Sequence, residues 1–472
     1  MSLQTDREKI AHLLRRFGLG ASEAEIEFYG KNGLKGAINK LLDYKNTPED
    51  FTTDSPFPDP EGNINTNPRF AQNTLYSLYL TTTRPLPYKM ALFWHDHFAT
   101  SAQKVTVGPT MMRHFVKLRD FSTGKFYDLL HAVSTDPAML YWLDNQDNIK
   151  GRPNENFARE VMELFTLGVG NYTEKDILEA ARAFTGWTYG VRRNNRRVVI
   201  RGALPGANAA FLFDEPNHDD GEKSVLGKMG NFNGDEVLKL LCDTPRTAYY
   251  ITEKILNWFV YPNPEATVIN KFAVRFRQSG LDIAVLLRSI MESEEFYSDK
   301  AERAIIKNPM DFVIPVFRQM GVGAAMAAEL NELPIENRMR RAQAVARGAT
   351  TSTTSMGMEL LYPPDVAGWE GGQSWISSAT MVERIKFATT IMQNSLARET
   401  NPMANLIANM PAEQAVDRLL SLYDVQVSEE RKAVLVAAAK KPAGVRVAPR
   451  TAYAAGLEVS KVLFGSPEFQ FC

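Results

Sequence analysis

The feature that most constrains this chain is a nearly unbroken succession of helical hydrophobic periods, 10–15 residues each, separated by short polar connections. Thr5-Asp-Arg-Glu8 and Ser22-Glu-Ala-Glu25 each form a capping box, a Ser or Thr followed three residues on by an acid that closes the first helical turn. A third box pairs Thr173 with Asp176. Helical patterns run at about 33–43, 70–83, 87–98, 109–120, 124–134, 154–167 and 174–185. They return at about 234–242, 245–260, 264–278, 281–293, 308–320, 322–331 and 334–347, with three or four more helices completing the chain. A mainly α fold follows: one large multi-helix domain spanning 1–472, with no fixed-period repeat of a solenoid.

Three stretches interrupt the helices. Residues 46–68 are dense in Pro, Asp, Asn and Gly and read as a long surface loop. Residues 187–214 carry β-branched runs about an Asn-Asn turn, the mark of a small β-hairpin or sheet insertion. A Gly/Pro/Trp-rich loop is expected over 348–376, because Gly348 to Gly357 is rich in Gly, Ser and Thr and Pro363-Pro364 forbids helix at its centre. The Gly-rich run from Leu226 to Gly234 lacks the ending of a phosphate loop and reads as a turn-rich loop.

Composition narrows the function classes. Lys and Arg (54) nearly balance Asp and Glu (55), which argues against wholesale binding to nucleic acid or an anionic membrane. Two cysteines, Cys242 and Cys472, exclude a disulfide framework and a cysteine zinc ribbon. No apolar run reaches the length of a membrane span. As the sequence stands it reads as cytoplasmic; a leader removed earlier would leave the same sequence and make it an exported protein.

Four segments carry candidate chemistry. In Phe93-Trp-His-Asp-His-Phe98, His95 and His97 flank a carboxylate among aromatics, nitrogen donors suited to Zn, Fe, Cu or Mn. In Asn154-Glu-Asn-Phe-Ala-Arg-Glu-Val-Met-Glu-Leu-Phe165, Glu160 and Glu163 share one helical face with Arg159 beside them. That i, i+3 spacing presents carboxylates inward in helix-bundle metal sites, and it also serves acid–base chemistry. The apolar stripe of this helix is Phe157, Val161, Leu164 and Phe165. The turn Asp214–Lys223 offers His218, Asp219 and Lys223 as substrate contacts, and Trp369 and Trp375 offer flat apolar area to a sugar or cofactor ring. Each has a plainer reading: packed core histidines, a solvated polar face, a solvated turn, and two Trp plugging a helical core.

Taken in order, these segments resemble the bacterial family described as domain of unknown function 1800 (DUF1800). The resemblance rests on His12-Leu-Leu-Arg-Arg-Phe-Gly-Leu-Gly20, Phe93 to Ser101, Asn154 to Glu160, Leu164 to Gly168, Ala180 to Trp187, His218 to Lys223, Pro363 to Trp375 and Ser466-Pro-Glu-Phe-Gln470. It implies a role that is often exported, and a partner that looks like a sulfatase or alkaline phosphatase, since such proteins are often encoded beside members. This chain departs from the pattern in having Phe165 where a His is common after the Glu-x-x-Glu pair, which weakens a metal role for those glutamates. Two functions stay open. One is an enzyme, metal-dependent if a divalent transition metal is held by His95, His97, Glu160 and Glu163, with Arg159 in the centre. The other is a non-catalytic scaffold acting with the hydrolase-like partner.

Overall fold

The computed structural model describes residues 3–49, 65–193, 196–199 and 203–472. Most of the predicted 46–68 loop, and the Asn-Asn turn at 194–195, lie outside the described residues. All three predicted capping boxes close: the side chains of Thr5, Ser22 and Thr173 accept the backbone N–H of Glu8, Glu25 and Asp176, and the acids reach back. Proline sits at the first turn of helices Pro68–Thr81, Pro85–His97, Pro245–Phe259 and Pro309–Gln319, where its missing N–H costs no intrahelical bond. The apolar faces join in one contiguous cluster of buried side chains that runs from Ile10 to Phe469.

Two helical expectations need correcting. Only the first part of the expected 348–376 loop is α-helical: one helix runs Ile335–Ser355, and the loop begins at Met356. Two threonines of that helix face helix Pro68–Thr81, where Thr350 Oγ1 bonds Asn73 Oδ1 (2.9 Å) and Thr353 bonds Tyr76, while Gly348 lies close to Phe317 and Thr390. Small-residue composition signalled close helix contact rather than a turn. Beyond Ser378 there are seven helices rather than three or four, because several are single-turn segments such as Met403–Ile407 and Pro467–Gln470.

The β insertion stands where expected. Trp187–Arg193 is the central strand of an antiparallel sheet, flanked by Arg196–Val199 (Gly190 opposite Val199) and Ala210–Phe213 (Trp187 opposite Phe213). A second antiparallel pair, Lys223–Val225 with Lys228–Gly230, takes up part of the Gly-rich run. Leu226 and Gly227 form its turn, both at positive φ (51° and 75°), as a tight hairpin requires.

Candidate functional site

The Pro85–His97 helix is buried on almost every side, so its C-terminal residues point into protein whichever way they turn. His95 and His97, two residues apart, diverge as helical geometry demands. The His95 ring lies against Phe115 and Trp369, and its Nε2 accepts the backbone N–H of Leu361 (3.1 Å). The neutral ring therefore carries its proton on Nδ1. His97 points the other way, its Nε2 3.1 Å from the carbonyl oxygen of Phe165, to which it donates. Burial holds both rings neutral, taking His95 down to about 3, with His114 adding to it, and His97 well below the usual imidazole range. Asp96, between them, is only half-buried.

The second segment breaks its own helix. Asn156–Met162 is α-helical, but Glu163–Leu167 is a π-turn, a form that recurs at functional sites. Its widened turn is held by side chains that capture backbone carbonyls. Thr166 Oγ1 donates to Val161 O (2.6 Å), Tyr250 OH to Leu164 O (3.1 Å), His97 to Phe165 O, and Arg246 Nε to Leu167 O (2.7 Å). Gly168, at φ 79°, ends the turn. The extra residue shifts the helical phase. Phe157, Val161 and Phe165 are buried as predicted, but Leu164 rotates to a half-buried position and Met162 is fully buried.

Glu160 and Glu163 are both half-buried. Glu163 accepts a hydrogen bond from Tyr172 OH. Among the described residues Glu160 has no side-chain hydrogen-bond partner, and burial, then the neighbouring Glu163 charge, pushes it up to about 6. Arg159 turns away from them, donating to Glu174 (2.7 Å) and Glu155 (3.3 Å).

The third contribution is the loop after Leu361. Trp369 donates its backbone N–H to Asp96 Oδ1 (2.8 Å) while its ring covers His95. Gly368 (φ 89°) makes that approach possible: a Cβ there would fall 2.5 Å from both Asp96 O and Asp96 Oδ1. Trp375 is buried beside Gly357. On the far side, helix Pro245–Phe259 presents Arg246, Tyr250 and Lys254 four residues apart, the two cations 5.8 and 5.5 Å from the Tyr250 ring centre. Burial lowers the Lys254 amine against the opposing pull of Asp96. The same burial raises Asp96 to about 6, outweighing the Trp369 N–H and Lys254, with Asp365 adding its own charge. Asp96, Lys254, Tyr250, Glu163 and Glu160 thus form a run of half-buried groups, each electrostatically coupled to the next.

The remaining motif lies apart from this run. Lys223 is buried and donates to Asp219 O (2.5 Å) and Gly221 O (2.9 Å). Asp219 takes two bonds from Arg182 (2.8 and 3.2 Å), which hold it down at about 2. His218 Nδ1 sits 2.9 Å from Thr185 O. Glu179 and Asp176 accept the backbone N–H groups of Ser224 and Leu226, fastening the turn and hairpin onto helix Glu174–Ala183. In this arrangement Asp219 and Lys223 spend their polar groups on the fold.

The predicted metal set of His95, His97, Glu160 and Glu163 does not assemble. Among the described residues no three His, Cys, Asp or Glu side chains converge as metal ligands. The physical reason is local: the two imidazoles diverge, and each commits Nε2 to a backbone group, which leaves no shared open position. Sequence reasoning also passed over Asp96, which was in plain view between the histidines, and Lys254 and Tyr250, whose helix carries no distinguishing pattern.

The family model described as protein of unknown function (DUF1800) matches residues 12–471. No curated protein and no solved structure matches the chain.

Proposed function

We propose, for a chain that belongs to the DUF1800 family and takes no named reaction from it, an acid–base enzyme centred on Asp96. The observation that carries this reading is convergence: three separate segments fix one half-buried carboxylate. Helix Pro85–His97 supplies Asp96, the Gly368-Trp369 turn holds one of its oxygens, and helix Pro245–Phe259 sets Lys254 beside it. A carboxyl group raised to about 6 exchanges a proton near neutral pH, which is what a general acid or base requires. Glu160, raised to a similar value, is the second candidate, and the two carboxylates with the intervening lysine provide acid, base and a cation for a developing negative charge. His95 and His97 act as positioning residues, one bracing the loop at Leu361 and the other the π-turn that carries Glu163. Arg159, paired outward, keeps the far side of the glutamate helix in place. Trp369 stands beside the carboxylate through its backbone N–H, while His218, Asp219 and Lys223 serve the separate turn and Trp375 is buried beside Gly357.

A second reading, a non-catalytic scaffold working with a sulfatase- or phosphatase-like partner, is favoured by how many polar motif residues bind backbone groups: His95, His97, His218 and Lys223 all do so. A thermal-shift screen of small metabolites separates the two. The enzyme reading expects compounds that stabilise the wild-type protein and lose their effect in Asp96→Asn and Lys254→Met. Hits that bind both variants as well as the wild type would refute Asp96 as the centre.

A further inference from the structure

The first and last motif segments, His12–Gly20 and Ser466–Gln470, take no part in the Asp96 site. They meet each other instead. The chain just before its end pairs with residues 305–307: Lys307 donates its N–H to Gln470 O (2.7 Å), and Cys472 donates to Ile305 O (2.9 Å). Between them lies a small cavity with room of ≈ 20 Å³, lined by Arg15, Lys307, Asp311, Tyr423, Asp424 and Cys472, among others. That is space for an occupant about the size of one water molecule.

The surrounding charges are paired, with one exception. Arg15 bonds Asp424 (2.6 Å), and Asp311 is taken by Lys89 and Asn308. The buried Arg16 donates to Val260 O and Ala301 O (2.8 Å each), and Arg303 to Asp424 O (2.9 Å). Arg384 donates to Gln470 Oε1 and Lys307 O (2.7 and 2.8 Å). Lys307 has no such oxygen. It is 8% exposed, its ammonium bonds no acceptor among the described residues, and it rests 3.9 Å over the Phe469 ring. The two cations on its lining, Arg15 and Lys307, equal the two carboxylates in number, but Asp424 and Asp311 are already taken, so a water here would leave the Lys307 ammonium without a counter-charge, and a buried unpaired charge is costly.

We propose that this cavity binds a monovalent anion of halide size, held by the Lys307 ammonium with Arg15 as the second cation on its wall. The room suits a single small ion. The groups facing Lys307 set a pH dependence. Burial, with Arg303 and Arg15, pushes its amine down to about 7 against the pull of Cys472 and Asp424; Asp311 is already paired. The anion binds the protonated amine, so binding strengthens below pH ~7 and weakens above it.

The test compares thermal unfolding of the full chain in sodium bromide and in sodium gluconate at equal ionic strength, near pH 6 and near pH 8.5. Bromide should raise Tm saturably, by roughly 2 °C or more near pH 6, with a smaller rise at the higher pH. Lys307→Met should abolish the response, and crystals soaked in bromide should give anomalous density beside Nζ. Equal Tm in the two salts near pH 6, or an undiminished bromide response in the variant, overturns the proposal. Should Lys307→Met fail to fold, the wild-type salt comparison and the bromide density decide alone, and absent density counts against it.

Discussion

Gly368→Ala is the sharpest perturbation of the candidate site, because two separable costs are written into the structure. The first is conformational. At φ 89° an L-residue is strained by ~1–2 kcal/mol, partly offset by the reduced freedom of the unfolded chain. The second is steric. The new methyl would sit 2.5 Å from Asp96 O and Asp96 Oδ1, so the loop or the end of the Pro85–His97 helix must move, at a further ~1–3 kcal/mol typical of overpacking. Gly170→Ala isolates the first cost: its φ is 80° and a Cβ there meets nothing within 4 Å. Urea unfolding of both variants should therefore give about 1 kcal/mol lost for Gly170→Ala and roughly 2–4 kcal/mol for Gly368→Ala, the difference being the contact with Asp96. The displaced Trp369 N–H should also leave Asp96 without its 2.8 Å hydrogen bond, raising its proton affinity further. Equal losses for the two variants would refute the claim that the loop backbone is pressed against Asp96.

Three further outcomes follow from other contacts. Phe157→Ala should cost ~3–5 kcal/mol by denaturant unfolding, whereas the half-buried Leu164→Ala should cost clearly less, since the π-turn rotates Leu164 away from the core; equal costs would contradict that phase shift. Tyr250→Phe removes the hydroxyl that donates to Leu164 O and should lower stability by ~0.5–1.5 kcal/mol while speeding amide exchange across Glu163–Leu167; unchanged exchange would mean the hydroxyl does not hold the turn. His12, His95 and His97 are buried with folded pKa values below that of the unfolded chain, so the unfolded state binds more protons in acid. The stability they contribute is full above pH ~6.5 and falls as pH drops, for His95 toward about 3, at up to ~1.4 kcal/mol per pH unit for each ring; a flat stability between pH 6.5 and 4.5 in the wild type would contradict their neutral burial.

Much of the fold was legible because helix starts are written locally. Thr5, Ser22 and Thr173 announce their helices within four residues, and the apolar period does the rest. The continuation of helix Ile335–Ser355 was not, because Gly348 and the threonines after it are permitted there only by a neighbouring helix that the local sequence does not mention. The π-turn at Glu163 was hidden for the same reason: its carbonyls are held by Tyr250, His97 and Arg246, two of them more than 75 residues distant. At the candidate site, the motifs were visible but the roles within them were exchanged. Histidines are the conspicuous residues in Phe93–Phe98, yet burial turns both into neutral hydrogen-bonding braces, and the half-buried carboxylate between them keeps the titratable character. Lys254 carries no motif at all and becomes a candidate only through its place beside Asp96.

Whether Asp96 exchanges a proton near neutral pH can be read from side-chain carboxyl carbon shifts followed in the wild-type protein through pH, with Asp96→Asn and Glu160→Gln assigning the two resonances. Both midpoints should fall at about 6, with a downward shift for Glu160 in Glu163→Gln, where its charged neighbour is gone. An Asp96 resonance that titrates near 4, as in a solvated peptide, would contradict it.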